Sequence, residues 1–274
     1  MITTEVMGGL GNQLFQIFHL MSYSLTYSIP FYFEAKESSR QDRPFYWDSL
    51  LSTLKTFIRT SYEKNLQVYN ENDFSYSPMP HFNEINRPLK FVGYFQSYKY
   101  FQEHWEEICE YIKLDDSICK LNDEYNYSDM VALHFRVGDY ANIQEHHPLM
   151  PMEYYVNALE SLISQTGRDN WTILFFCEEN DVGYANLKIE ILRSKFPNLV
   201  FEKIDSKYAD WQQVLIMSLC QHNIIANSTF SWWGAYFNKN VDKRVYYPSL
   251  WFGPLQANKR MDDLFPPVWN KIMC

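Results

Sequence analysis

A chain of 274 residues, 46% hydrophobic and 21% charged, has the profile of a globular protein with room for two ordinary domains and excludes a disordered one. A net charge of −9 argues against general affinity for nucleic acid or anionic membrane, so a phosphate-bearing ligand would need a local cluster of donors. Aromatic residues make up 18% of the chain, which suits cores and also stacking on sugar rings.

No targeting segment is evident. Met1–Met7 carries Glu5 and lacks a basic region followed by an apolar core, and no 18 consecutive residues are apolar, so no transmembrane anchor is expected. Cys109, Cys119, Cys177, Cys220 and Cys274 are scattered without CxxC spacing, as reduced thiols of a cytoplasmic protein would be. On that reading the sequons at Asn126 and Asn227 stay unglycosylated.

In chain order, Ile2–Met7 predicts a strand that runs into Gly8-Gly-Leu-Gly-Asn-Gln13. A helix follows, with Leu14, Ile17, Phe18, Met21 and Leu25 on one apolar stripe. Strand, glycine turn and helix start can bind an anion, because the free N–H groups carry partial positive charge. Gly9, Gly11, Asn12 and Gln13 are therefore candidate ligand or cleft residues. The third glycine of the dinucleotide fingerprint and the Walker lysine are both missing, so tight-turn packing is an equal reading.

Pro30–Phe33 suggests a second strand. From Glu34 to Arg87 a polar patch (Lys36 to Arg43), the run Phe45-Tyr-Trp47 and Pro78, Pro80 and Pro88 predict loops and short helices. Leu89–Phe95 predicts a strand, and Phe101, Trp105, Ile108 and Ile112 mark a helix over Tyr98–Ile112. The acidic stretch Lys113–Ser128 predicts a linker with a boundary near Tyr125. It divides an N-terminal α/β lobe, 1–125, from a C-terminal lobe, 126–274, whose last residues could pack back on the first.

The second half is more regular. Strands are expected at Val131–Phe135, Trp171–Cys177, Leu199–Lys203, Asn223–Ala226 and Arg244–Tyr247. Helices are expected at Met152–Ile163, Tyr184–Phe196, Trp211–Cys220 and Phe230–Phe237. Apolar strands alternating with helices predict βαβ units around a parallel sheet. Three strand ends carry polar residues: His134, Arg136 and Asp139; Cys177-Glu178-Glu179-Asn180; and Asn227-Ser228-Thr229-Phe230-Ser231. Parallel strands bring such ends to one edge, where open α/β sheets bind ligands. Arg136 could grip phosphate oxygens with its planar fork, or simply tie down a loop through Asp139. Asn227 and Ser228 could cap the next helix or, with Thr229 and Ser231, present hydroxyls and N–H groups to a diphosphate. Glu178 or Glu179 could accept hydrogen bonds from a base edge. Together these residues describe a nucleoside-diphosphate pocket. Glu145-His-His147 is a poor metal site, because adjacent histidines point apart on regular elements.

Four stretches also carry a resemblance. Met7-Gly-Gly-Leu-Gly-Asn-Gln-Leu-Phe-Gln16, Gly93-Tyr-Phe-Gln-Ser97, His134-Phe-Arg-Val-Gly-Asp-Tyr140 and Ser218–Gly234 resemble family 11 glycosyltransferases, the α-1,2-fucosyltransferases. The resemblance implies a GT-B-like fold of two Rossmann-like lobes, with the nucleotide-sugar site in the C-terminal lobe and a cleft between. It also implies GDP-fucose as co-substrate, a galactose-containing glycan acceptor, inversion at the anomeric carbon, no required metal and no other cofactor. Arg136 would hold the donor diphosphate, with His134 beside the nucleotide. The chain makes two departures from the family pattern: Val137 stands where a second Arg is usual, and Cys177-Glu-Glu179 where Ser-Asp-Asp is usual.

In such a transfer the acceptor hydroxyl attacks as GDP leaves, through an oxocarbenium-like transition state. Asp139 is the candidate base, its alternative role being to orient Arg136. A kinase or hydrolase would need a Walker lysine or GxSxG, which are absent. Transfer of another GDP-sugar, or non-catalytic binding of nucleotide or carbohydrate, are the remaining alternatives. The sequence is silent on oligomeric state.

Overall fold

The computed structural model describes residues 1–36, 43–61, 65–82 and 87–274, so most of the polar patch Lys36–Arg43 lies outside the described residues. The chain forms two compact units: Met1–Ser117 with Lys259–Pro266, and Ile118–Asn258 with Pro267–Cys274. Among the described residues no helix is long and apolar enough to cross a membrane.

The first unit is a parallel sheet of β1 (Ile2–Thr4), β2 (Phe31–Glu34), β3 (Ile58–Arg59), β4 (Gln67–Asn70) and β5 (Leu89–Val92), in the order β3-β2-β1-β5-β4. Helix α1 (Leu10–Tyr27) is buried from Leu10 to Leu14 except at Asn12, and throughout its middle turns. The expected stripe is therefore too narrow a description, and Leu25, its last member, is 37% exposed. Gln16 fixes the start of the helix against the chain: its Oε1 accepts from Met7 N (2.8 Å) and its Nε2 donates to Met7 O (3.0 Å).

Strand β5 is shorter than expected. Beyond Val92 the chain turns, because both oxygens of the half-buried Glu71 carboxylate accept backbone N–H groups, from Tyr94 (2.7 Å) and Phe95 (2.9 Å). Phe95 adopts φ +50 there. The single helix expected over Tyr98–Ile112 is two 3₁₀ turns, Tyr98–Tyr100 and Gln102–His104, followed by α2 (Trp105–Tyr111). Phe101, with φ −137 and ψ 0, interrupts the helix and packs against Phe15 and Phe18. The acidic stretch read as a linker contains a helix, α3 (Leu114–Asn122). Asp115 and Asp116 in its first turn and Lys120 in its last complement the helix dipole. The division between the two units falls within this helix.

The second unit holds β6 (Met130–His134), β7 (Thr172–Phe176), β8 (Val200–Lys203), β9 (His222–Ile224), β10 (Val245–Pro248) and β11 (Asn270–Ile272). All pair in parallel, in the order β11-β10-β9-β6-β7-β8. Helices α4 (Met152–Thr166), α5 (Val182–Lys195), α6 (Asp210–Leu219) and α7 (Thr229–Phe237) alternate with the strands as expected. Val131, Leu133, Ile173, Phe175, Tyr154, Leu159, Leu192 and Ile224 form the core. The chain leaves β6 toward β7 on one side and later returns to β9 on the other. The β6/β9 boundary is thus the switch point where an open parallel sheet offers a crevice at its carboxyl edge.

His19 is an unusual core residue. Its ring stacks on Phe95 (4.0 Å, 11°) and meets Phe91 and Tyr100 edge-on, and neither ring nitrogen has a hydrogen-bond partner among the described residues. Burial lowers its pKa from 6.5 to about 3. Between those values the unfolded chain binds a proton that the folded chain refuses, so stability is lost as pH falls below about 6.5. His19→Phe keeps a ring in the stack and removes the titration. Chemical denaturation between pH 4 and 7 should show a slope of stability against pH shallower by up to about 1.4 kcal/mol per unit.

Candidate functional site

The carboxyl end of β6 delivers His134 as its last residue and Arg136 two residues on. Arg136 Nη1 donates to Glu178 and Nη2 to Asp139, while the Tyr140 ring centre lies 4.7 Å from the guanidinium carbon. The Arg136 side chain is only 15% exposed. Burial opposes its charge, but Tyr140, Asp139 and Glu178 outweigh that and hold its pKa above the ordinary value. Both carboxylates are about half exposed, so water stabilises them while they stabilise the arginine. Asp139, the candidate base, is therefore engaged by Arg136, as the ion-pair alternative supposed, and Glu178, the candidate base-edge acceptor, is a second anchor.

His134 is buried, with its ring 5.5 Å from Phe230 and Nδ1 unpartnered among the described residues. Burial, then the Arg136 charge, pulls its pKa down to about 3, so the imidazole is neutral at physiological pH. Val137 is buried at 7% exposure, so the position packs into the interior.

The end of β7 closes the other side. Glu179 accepts from Lys203 Nζ (2.6 Å) at the end of β8, and Asp181 accepts from Gly138 N (2.7 Å). These bonds tie three successive strand ends together. Cys177 is buried, and burial pushes its thiol up to about 11. Lys203 and Asp181 were not among the sequence candidates. Lys203 carried a usable signal, since it ends the strand beside β7.

At the start of α7, Ser228 is the cap: its extended backbone (φ −140, ψ 130) places Oγ to accept from Phe230 N (3.3 Å). Thr229 is the first helical residue and is half-buried. Ser231 is buried and donates to Ser228 O (3.4 Å). Asn227, expected as a cap or donor contact, is not the cap. Its Nδ2 donates to Pro148 O (2.9 Å) and Trp251 O (3.2 Å), joining two loops, because it precedes the cap and points into the protein.

The N-terminal candidates lie in the first unit. Gly9 is the N-cap of α1 and Gly11 sits in its first turn; the left-handed residue of the loop is Gly8, with φ +77. Asn12 Oδ1 accepts from Gln96 Nε2 (2.9 Å). Gln13 Nε2 donates to Gly8 O (2.9 Å) and Pro44 O (2.8 Å), and its buried Oε1 has no partner among the described residues. Gln13 is thus spent on holding the loop. Among the described residues no group of three or more His, Cys, Asp or Glu is placed to hold a metal ion.

Chemically, the second unit presents a fixed guanidinium and a hydroxyl-capped helix start at the switch point of a parallel sheet. That combination suits anionic oxygens. Gly138 is what lets the loop approach: at φ +42, a Cβ would lie 3.1 Å from Glu178 Oε1 and 3.2 Å from Arg136 Nη1. Gly138→Ala is expected to cost about 1–2 kcal/mol through the left-handed backbone alone, which thermal melting would read.

Comparison with known proteins covers nearly the whole chain. The sequence profile described as Glycosyl transferase family 11 matches residues 1–273. An alpha-1,2-colitosyltransferase of Escherichia coli is 26% identical over 301 residues, covering 99% of this chain and 98% of that protein. A galactoside 2-alpha-L-fucosyltransferase of Caenorhabditis elegans is 25% identical over 297 residues, covering 99% of this chain and 79% of that protein. Among solved structures, E. coli ADP-heptose lps heptosyltransferase II matches with a TM-score of 0.50 at 12% identity, covering 99% of this chain and 90% of that one. The likeness shows the fold, the two parallel-sheet α/β lobes of a GT-B-type glycosyltransferase. With the family profile running from the first residue to the last but one, the chain belongs to glycosyl transferase family 11.

Proposed function

We propose that this glycosyltransferase moves L-fucose from GDP-fucose to a hydroxyl of a glycan acceptor, the 2-OH of a terminal galactose, with inversion. The observation that carries the reading is Arg136, fixed at the β6/β9 switch point by Glu178, Asp139 and Tyr140. The family match and the fucosyltransferase relative supply the reaction class.

On this reading the acceptor oxygen forms a bond to the anomeric carbon while the bond to the β-phosphate oxygen breaks. Negative charge grows on the departing diphosphate. The Arg136 fork and the N–H groups at the Ser228-capped start of α7 meet that charge, so they act mainly in the transition state. Neutral His134 lines the same end without adding charge of its own. The acceptor proton needs only a weak base when the sugar has oxocarbenium character. Asp139, half exposed and held by Arg136, serves that role and orients the guanidinium. Glu178 anchors Arg136 and is the group available to a guanine edge. A second reading is transfer of a colitosyl group, which the relationship to the E. coli colitosyltransferase favours. Assays with both GDP-sugars on galactosides separate the two.

Arg136→Lys keeps a charge and loses the bidentate fork. Turnover is expected to fall on the order of 10²–10³, by analogy with loss of one oxyanion donor. Melting should change little, since a Lys can still pair with Asp139. A stable mutant with near wild-type turnover would overturn the assignment.

Because protein cations and N–H groups supply the positive charge on this reading, transfer is expected to survive EDTA. Activity lost to the chelator and restored by manganese or magnesium would refute that expectation.

A further inference from the structure

We propose that Tyr140 is the positioning residue on which the grip of Arg136 depends, its ring fixing the guanidinium plane while joining the loops at three neighbouring strand ends. This rests on the reading of Arg136 as the diphosphate ligand.

Glu178 and Asp139 hold Arg136 through its N–H groups, and those bonds lie along the edge of the guanidinium. Edge contacts leave a planar cation free to rock about them. A ring with its centre 4.7 Å from the guanidinium carbon restrains that motion through cation–π attraction and contact area. For the ring to do this it must itself be fixed, and it is. It stacks on His147 (4.7 Å, 19°), and His147 lies 5.7 Å from Phe252.

Tyr140 Oη donates to Asn227 O at 3.3 Å, a long bond that adds direction more than strength. Asn227 Nδ2 donates in turn to Pro148 O and Trp251 O. Gly253 completes the joint: its N–H donates to His146 O (2.8 Å), and a Cβ there would lie 2.3 Å from Glu145 O. The segments after β6, β9 and β10, which are adjacent in the sheet, thus meet around one ring. Tyr140 touches the residue that grips and the loop that leads into α7. It is therefore placed to set the geometry between the guanidinium and the helix start.

The test measures GDP affinity by calorimetry, with thermal melting, for the wild type, Tyr140→Phe, Tyr140→Leu, Arg136→Ala and the double variant Tyr140→Leu/Arg136→Ala. Tyr140→Phe keeps the ring and is expected to bind GDP within about twofold of wild type, whereas Tyr140→Leu should bind roughly 3- to 30-fold more weakly, the range of a partly desolvated cation–π contact. In the Arg136→Ala background the Tyr140→Leu change should cost less than about twofold, because its effect runs through Arg136. Wild-type affinity in Tyr140→Leu beside a weakened Arg136→Ala overturns the proposal and leaves the Arg136 reading standing. Equal losses in both backgrounds overturn it too, as does a large loss in a stable Tyr140→Phe. Wild-type affinity in Arg136→Ala removes the Arg136 reading itself, and this inference with it. Should Tyr140→Leu melt below the assay temperature, the unbranched Tyr140→Met takes its place with the same expectations.

Discussion

The second unit is organised around a cation kept largely out of water. Removing a guanidinium from solvent costs several kcal/mol unless its donors are met. Arg136 meets that cost by taking partners from different segments: Asp139 and Tyr140 from its own loop and Glu178 from the end of β7. The segment that carries Glu178 is held in turn by its neighbours, Asp181 accepting from Gly138 N and Glu179 from Lys203 Nζ. Arg136 thereby joins the loop after β6 to the end of β7, and the Glu179–Lys203 pair extends the link to the end of β8. The carboxylates keep about half their surface in water, so they take little desolvation cost of their own.

The parallel sheet makes this arrangement possible. Strands β6 and β7 are buried and apolar almost throughout, and polarity begins where each of them ends. That abrupt change is why the second unit was legible. Runs such as Val131–His134 and Thr172–Phe176 have one interpretation, and their polar ends fall on one edge by topology. The helix positions followed for the same reason. Strand β11 escaped notice because three residues after two prolines carry no periodicity.

The first unit was harder to read because its local signals compete with tertiary ones. Phe101, Trp105, Ile108 and Ile112 have helical spacing, yet Phe101 breaks the helix to fill space beside Phe15 and Phe18. The Leu89–Phe95 run is strand-like in composition, and a carboxylate from another segment, Glu71, turns it at Gly93. Acidic residues suggested a linker where Leu114 and Leu121 are in fact buried on α3. In the candidate site, residue types pointed to Arg136 and to Ser228 as a cap, but not to the contacts that Asn227 and Tyr140 make. Their partners are backbone carbonyls and rings of distant loops, which no spacing in the sequence encodes.

The cysteines have a practical corollary. Cys177 stands between Phe176 and Glu178, beside the arginine cluster, yet its burial keeps the thiol protonated at neutral pH and therefore a poor nucleophile. Cys109 and Cys220 are buried as well, whereas Cys119 and Cys274 are exposed. Alkylating dyes and mild oxidants will thus react at Cys119 on α3 and at Cys274 rather than at Cys177. Fluorophores can therefore be attached at the two exposed thiols without removing the three buried ones.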